Sequence, residues 1–270
     1  MRIVFSIGSR NILNRSKLTN DSEWRIVPEV NRKSQRCANE MKKKLIRPNE
    51  SRLSLTLGQM ERYAGGSKYK MDDRMKNLAG PVLETARQLI DPAFSYCIYE
   101  PGELDGRTIE VLTGAGDMKN AGHGADSFEI CVCVCTLGKA LETAVSDMMK
   151  KGNALEAAFL DAAGVGLLES LGQIAFSRVR REAEKKSLYP GCRFGPGYGK
   201  TPLEVQTTIF SLVDSRPLGL MLLDSYAMSP AKSLSFWVIF HATPRAEADI
   251  YKCGACGLKD CPYRVVNDPL

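Results

Sequence analysis

The feature that most constrains the fold is a long helical segment, residues 153–186, with the sequence NALEAAFLDAAGVGLLESLGQIAFSRVRREAEKK. An unbroken helix of this length would extend about 50 Å. Its middle is apolar and small, and it includes Gly164, Gly166 and Gly172. Because a glycine inside a helix costs roughly 1 kcal/mol relative to alanine, we expect these positions to lie in close contact with another element or with a ligand.

The remaining segments predict a mixture of helices and strands. SFEICVCVCT alternates strictly, so its row of cysteines should share one face of a strand and act as small packing residues; these are Cys131, Cys133 and Cys135. AFSYCIYE and RTIEVLT also predict strands, and helices are predicted over 51–66 and 71–91 and in LGKALETAVSDMMKKG. A strand, a turn and a second strand are predicted in LGLMLLDSYAMSPAKSLSFWVIFHA. Without repeated βαβ units, we expect an α+β fold, with a mostly antiparallel twisted sheet packed with long helices.

The charge distribution separates the chain into regions. Residues 1–50 contain 12 Lys and Arg against 5 Asp and Glu, whereas the remaining 220 residues contain 25 against 26. The basic character therefore belongs to an N-terminal extension, which we expect to be disordered, although an early start codon or a tail that docks on an acidic partner are alternatives. A nucleic-acid-binding protein would instead carry a basic face on its folded body.

Nothing in the sequence predicts export or membrane insertion. The chain has no run of about 18 apolar residues, and polar residues interrupt the N-terminal segment MRIVFSIGSRNILNRSK. We therefore expect a cytoplasmic protein that does not bind membranes. In a reducing compartment, clustered cysteines indicate metal ligands or buried thiols rather than disulfides.

The C-terminal tail, residues 246–270, has a cysteine spacing typical of metal sites. Cys253, Cys256 and Cys261 stand in the sequence KCGACGLKDCPYR, and a C-x-x-C turn can place two thiolates on one zinc ion or iron–sulfur cluster. A fourth ligand would come from elsewhere, with Cys192 and Cys97 as candidates. Free or redox-active thiols are the alternative interpretation.

The segment CRFGPGYGK, Cys192–Lys200, is expected to connect the long helix to a second helix that starts at TPLE, with Thr201 as the N-cap and Glu204 completing a capping box. A helix N-terminus favours an anion, and Gly195 and Gly197 allow the backbone to approach a ligand. Arg193 can bind a carboxylate or phosphate through two parallel hydrogen bonds. A glycine-rich structural turn is the alternative.

These residues resemble the activation domain of cobalamin-dependent methionine synthase. The match runs in order from about Met71 to His241, and its most specific element is Arg193-x-x-x-Gly197-Tyr198. The segments DAAGVGLLES and SYAMSPAKSLS support it independently. The resemblance implies that residues 51–245 form an activation-like domain that binds S-adenosylmethionine and supports the reductive remethylation of cobalamin in methionine biosynthesis.

The resemblance also implies roles for particular residues. Arg193 would hold the carboxylate of S-adenosylmethionine, the backbone of Gly195, Pro196 and Gly197 would lie along the ligand, and Tyr198 would flank it. Glu169 matches an acidic position that contacts the cationic part of the ligand in the family; an exposed helix carboxylate is the alternative. No residue is predicted to act as a catalytic acid or base, because the reduced corrinoid is itself the nucleophile.

The sequence departs from the family in two ways that bear on partners. The corrinoid signature D-x-H-x-x-G is absent, since AGHGAD has no aspartate two residues before His123. The protein is therefore expected to act on a corrinoid carried by a separate methyltransferase, with a flavodoxin- or ferredoxin-type electron donor. An aromatic position next to Trp237 in the family is Val238 here, which removes one expected ligand contact.

Two functions of different classes fit these patterns. The first is a methyltransferase component, namely a stand-alone reactivation protein that binds S-adenosylmethionine. The second is a metal- or iron–sulfur-bearing electron-transfer or assembly factor that keeps the fold without donating a methyl group. A ligand-binding module without a catalytic role is a third interpretation.

Overall fold

The computed structural model describes residues 45–100, 102–114, 128–198, 201–244 and 261. Within these ranges the helices are α1 (Leu57–Gly65), α2 (Asp73–Leu89), α3 (Gly106–Gly114), α4 (Ala140–Lys150), α5 (Ala154–Lys185) and α6 (Val205–Leu212). The strands are β1 (Ala93–Tyr99), β2 (Phe128–Thr136), β3 (Tyr189–Phe194), β4 (Met221–Leu222), β5 (Met228–Ser229) and β6 (Ser233–His241).

The main sheet has the strand order β1-β2-β6-β3, and all of its neighbouring strands are antiparallel. Strands β4 and β5 form a separate antiparallel pair. In the centre, Cys133 lies opposite Tyr96 of β1 and Phe236 of β6. The prediction of an α+β fold with an antiparallel sheet is confirmed.

Both faces of the sheet are buried, and each belongs to a different hydrophobic core. The cysteines of β2 face the core formed with α1, α2, α4 and α5, whereas the intervening apolar residues Ile130, Val132 and Val134 face the core formed with α3 and α6. Burial raises the pKa of the Cys133 thiol well above its ordinary value, so a reactive thiolate is disfavoured there. The predicted packing role of this cysteine row is confirmed.

The long helix α5 is unbroken over 32 residues and contacts other elements at each of its glycines. A Cβ atom added to Gly164 would lie 2.8 Å from a methyl carbon of Leu141 on α4, and one added to Gly166 would lie 2.4 Å from a methyl carbon of Leu55. One added to Gly172 would lie 2.7 Å from Nη1 of Arg193. The expected close approach at these glycines is confirmed.

The segment RTIEVLT is helical, so the prediction of a strand there is wrong. The side chain of Asp105 accepts a hydrogen bond from the backbone N–H of Thr108 at 2.8 Å, which stabilises the start of α3. Leu112 is buried, and its carbonyl accepts a hydrogen bond from the Trp237 indole at 2.9 Å. These tertiary contacts outweigh the preference of the β-branched residues for a strand.

The expected direct connection between two helices also differs from the structure. Residues Tyr189–Phe194 form an edge strand, so Arg193 lies in β3 rather than in a loop. Helix α6 begins at Val205, and the capping box predicted at Thr201 is absent, because Glu204 is the N-cap and makes no side-chain cap bond. The backbone of Thr201 instead closes the glycine-rich turn, since its N–H donates to Tyr198 O at 2.9 Å.

Several predicted regions lie partly or wholly outside the described residues. These include residues 1–44 of the basic extension and almost all of the cysteine-rich tail. The first described residues contact the sheet, because Ile46 forms an antiparallel bridge with Phe94 of β1. In the described ranges, no helix combines the length and the apolar character needed to cross a membrane.

We predict that Gly166→Ala destabilises the protein by up to about 2 kcal/mol, because the usual cost of overpacking a core, about 1–3 kcal/mol, exceeds the gain in helix propensity of roughly 1 kcal/mol. The added methyl group would crowd both terminal carbons of Leu55, which is buried. Urea unfolding of the two proteins measures the difference.

The matched control is Gly80→Ala on α2, where an added Cβ would meet no atom within 4 Å. This change should leave stability unaltered or raise it by up to about 1 kcal/mol, because alanine favours a helix. Equal stability of the two variants would contradict the close packing of α5.

Candidate functional site

The candidate site is built where the edge strand β3 passes α5. Arg193 lies opposite Val238 of β6, and the next residue, Phe194, lies opposite Trp237. Because side chains alternate along a strand, the two residues point to opposite faces. The Phe194 ring stacks on the Trp237 ring at a centroid distance of 5.7 Å, which fixes β3 with Arg193 directed towards α5.

An ion pair joins the strand to the helix. Nη2 of Arg193 donates to Oε1 of Glu169 at 2.6 Å, and the side chains are 23% and 35% exposed, respectively. The same carboxylate oxygen accepts from the amide of Gln173, one turn further along α5, at 3.2 Å. Burial alone would lower the pKa of Arg193, but the Glu169 carboxylate more than compensates, so this pKa is raised and the guanidinium stays charged.

The second terminal nitrogen of Arg193 is left without a partner. Nη1 is buried and makes no hydrogen bond within the described part of the chain. The guanidinium carbon lies 5.6 Å from the centre of the Phe236 ring. This cation–π contact stabilises the positive charge. The space occupied by Nη1 exists because residue 172 is glycine. A buried cationic donor without an acceptor is costly, so this atom is suited to an anionic group of a ligand.

The glycine-rich turn follows directly after β3. The N–H of Gly197 donates to the Thr201 carbonyl at 3.1 Å, and the N–H of Tyr198 donates to the Gly195 carbonyl at 3.2 Å. Gly197 has a φ of +79°, a conformation that favours glycine. A Cβ atom on Gly195 would lie 3.0 Å from the Tyr198 ring. Within the turn, Gly195 and Pro196 are buried, whereas Tyr198 is 49% exposed.

Tyr198 belongs to the same electrostatic environment as the ion pair. Its pKa is raised, first because the protein shields the hydroxyl from water and then because the Glu169 carboxylate disfavours a second negative charge; Arg193 opposes this shift. Tyr198 therefore stays protonated at neutral pH, with an exposed ring that can cover a ligand.

The structure brings together the residues that sequence analysis placed in one site: Glu169, Arg193, Gly195, Pro196, Gly197 and Tyr198. Sequence analysis singled out Gly172 only as a close contact, and it missed Phe236 and Gln173. The spacing of Gln173, four residues after Glu169 on a helix, is the signal that could have identified it. Val238, which lies opposite Arg193 on the neighbouring strand β6, is fully buried.

The predicted metal site is mostly outside the described residues. Cys253 and Cys256 fall there, and Cys261 is partly buried. Among the residues that the structure does describe, no group of three or more potential metal ligands is found. Cys97, one candidate for a fourth ligand, lies in β1 and is disulfide-bonded.

Comparisons with known proteins bear on the family. Residues 129–262 match the family model described as "Vitamin B12 dependent methionine synthase, activation domain". The predicted resemblance to this family is confirmed over these residues. The matched residues include most of β2, all of α5, the Arg193–Glu169 pair and the glycine-rich turn, so the whole candidate site lies within the match. No curated protein matches the sequence significantly.

One similar solved structure is described as the MetH reactivation domain bound to AdoHcy. It is 16% identical in sequence, with a TM-score of 0.46. The alignment covers 64% of this chain and 66% of that chain, just under two thirds of its length.

We predict that Glu169→Gln lowers the pKa of Tyr198. The change removes the negative charge of Glu169, which disfavours the Tyr198 phenolate. It also leaves the positive charge of Arg193, which favours the phenolate, without the neighbouring carboxylate. Absorbance titration of tyrosinate measures the shift, with Tyr198→Phe identifying the signal of this tyrosine. Glu184→Gln, an exposed change on the same helix, is the control and should leave the titration unaltered. A Tyr198 pKa that is the same in both Gln variants would contradict the described site.

Proposed function

We propose that the protein binds S-adenosylmethionine at the Arg193–Glu169 site and supports reductive remethylation of a corrinoid carried by a separate methyltransferase. The observation that carries the proposal is the buried, unpartnered Nη1 of Arg193 beside a paired carboxylate. A ligand with adjacent carboxylate and ammonium groups would meet one positive and one negative side chain at this place.

The residues present fit this ligand. Nη1 of Arg193 would donate to the ligand carboxylate, which removes the cost of leaving a buried donor unsatisfied. Glu169 would face the cationic part of the ligand, and its position would be maintained by the Gln173 amide. The backbone of Gly195–Gly197 and the exposed Tyr198 ring would border the rest of the molecule.

The protein contributes binding and orientation rather than acid–base chemistry. When bound, S-adenosylmethionine supplies a sulfonium methyl group for transfer to the cobalt of a reduced corrinoid, leaving S-adenosylhomocysteine. Arg193 stays charged and Tyr198 stays protonated, so neither side chain is available to take up a proton. The ion pair fixes where the ligand lies, and this positioning is the protein's contribution to rate. The corrinoid partner would be reduced by a flavodoxin- or ferredoxin-type donor.

We predict that Arg193→Ala weakens binding of S-adenosylmethionine by at least about tenfold, because a hydrogen bond to a charged group contributes about 1.5–3 kcal/mol. Isothermal titration calorimetry measures the affinity. Arg193→Lys keeps the charge beside Glu169 but loses the planar fork, so it should fold normally and also bind more weakly. Arg216→Ala removes an exposed arginine that pairs with Asp214; it is the control and should bind normally.

Methyl transfer is the second part of this test. Free cobalamin, chemically reduced to the cobalt(I) form, would be mixed with S-adenosylmethionine and each protein under anaerobic conditions. Wild-type protein should accelerate the appearance of methylcobalamin more than Arg193→Ala does. Binding without any acceleration would support a ligand-binding module instead, and no binding at millimolar ligand would refute the proposed function.

We also predict that Gly172→Ala weakens S-adenosylmethionine binding by about tenfold. The added methyl group would lie 2.7 Å from Nη1 of Arg193 and 3.1 Å from a methyl carbon of Leu234, so the guanidinium must move away from its present place. Stability should change little, because the gain in helix propensity of roughly 1 kcal/mol offsets part of the steric cost. Calorimetric binding and urea unfolding separate the two effects; Gly80→Ala is the control, and unchanged binding in Gly172→Ala would contradict the role of this space.

A further inference from the structure

A cavity lies against a different face of the same helix. Its volume is about 410 Å³, and its walls come from the segment 46–54, from β1 and from the C-terminal half of α5. This volume lies within the range of small-molecule sites. None of the residues of the proposed S-adenosylmethionine site lines it except Gln173, which only supports Glu169.

Every charged residue that lines this cavity is an arginine: Arg52, Arg178 and Arg181. Arg178 is partly neutralised, because it forms an ion pair with Glu182 at 3.0 Å and donates to the Tyr96 hydroxyl at 3.3 Å. Arg52 and Arg181 are exposed and form no ion pair within the described ranges. The cavity is therefore lined by two exposed arginines without an ion pair in the described ranges and by a third arginine that Glu182 and Tyr96 hold in place.

The rest of the wall is divided between polar and apolar groups. The Oγ of Ser170 accepts from the backbone N–H of Ser54 at 2.9 Å, so its hydroxyl hydrogen remains available to a ligand. Ser177 adds a second hydroxyl, and the partly buried Ile46 and Ile174 supply apolar surface. This composition suits a molecule with one oxyanion group and one apolar part.

The charge of the chain argues against an occupant from its own N-terminus. Residues 1–44, which precede the wall, have 11 Lys and Arg against 4 Asp and Glu, so this segment would bring positive charge to a positive wall. Arginine presents planar pairs of donors that match carboxylate and phosphate oxygens. An anion is therefore the complementary ligand.

We propose that this cavity is a binding site for a small organic oxyanion, a phosphate- or carboxylate-bearing molecule, held by Arg52, Arg178 and Arg181. The oxyanion lies among the arginines, and the apolar part of the molecule contacts Ile46 and Ile174. The proposal is independent of the proposed function, because Arg193 does not line the cavity.

The test uses the full chain and calorimetric titration at constant ionic strength. The probes are phenyl phosphate, phenylacetate (the anion of phenylacetic acid) and inorganic phosphate, which separate the oxyanion from the apolar part. We expect saturable binding of phenyl phosphate or phenylacetate that is tighter than binding of inorganic phosphate. Arg181→Ala should weaken this binding by about tenfold or more, the loss expected for a hydrogen bond to a charged group.

The control is Arg180→Ala, which removes the neighbouring exposed arginine of α5 that does not line the cavity. It should bind as wild type, and Arg193→Ala should also do so, which separates this site from the S-adenosylmethionine site. An equal loss in Arg180→Ala would show non-specific attraction and overturn the proposal, as would the absence of saturable binding at millimolar concentrations. Arg52→Ala provides a second test if Arg181→Ala fails to fold, and it should weaken binding similarly.

Discussion

The half-buried ion pair between Arg193 and Glu169 is the interaction on which the candidate site depends. It connects the edge strand β3 to α5 at 2.6 Å, yet such a pair contributes little net stability, because both charges lose hydration. The unpartnered Nη1 adds a further cost. The fold therefore holds the Arg193 guanidinium in place although, within the described residues, its Nη1 has no hydrogen-bond acceptor. An anionic ligand group is what would satisfy it.

The surrounding structure supplies the rigidity that this arrangement needs. Strand β2 is buried on both faces, so its register with β6 is strongly specified. Strand β6 in turn positions β3, with the stacking of Phe194 on Trp237 fixing which way the side chains point. Helix α5 cannot move away, because Gly164 and Gly166 bring it into direct contact with Leu141 and Leu55. The two charged groups are held by two packed cores rather than by each other.

Sequence patterns predicted the helices and strands in which apolar residues recur at the spacing typical of a helix or a strand. The alternation of 128–135 and the length of α5 required no knowledge of tertiary structure. The residue types of the Arg193–Tyr198 motif, together with the family resemblance, also named the residues that the structure brings together at the candidate site. The helix α3 was missed because its residues favour strands locally, and its stability comes from Asp105 and from the Trp237 indole, which is 125 residues away from its acceptor Leu112.

The role of Thr201 illustrates a different limit of sequence analysis. Its side chain type and the following proline are typical of a helix start, but its backbone N–H and carbonyl are both used to close the glycine-rich turn. That use depends on the positive φ of Gly197, which a linear pattern of residues does not reveal. Likewise, Gly172 could be recognised as a close contact, but its neighbour could not be named before β3 was placed beside α5.

The geometry of α5 explains how one helix can border both the Arg193–Glu169 site and the arginine-rich cavity. Successive residues of a helix are rotated by about 100°, so Glu169 and Gly172 face β3 while Ser170 and Ser177 line the arginine-rich cavity. Gln173 lies at the boundary, because it lines the cavity and its amide donates to Glu169. A ligand that drew this amide away would weaken the support of the Glu169 carboxylate. By thermodynamic reciprocity, any such effect on the affinity at one site must appear equally at the other.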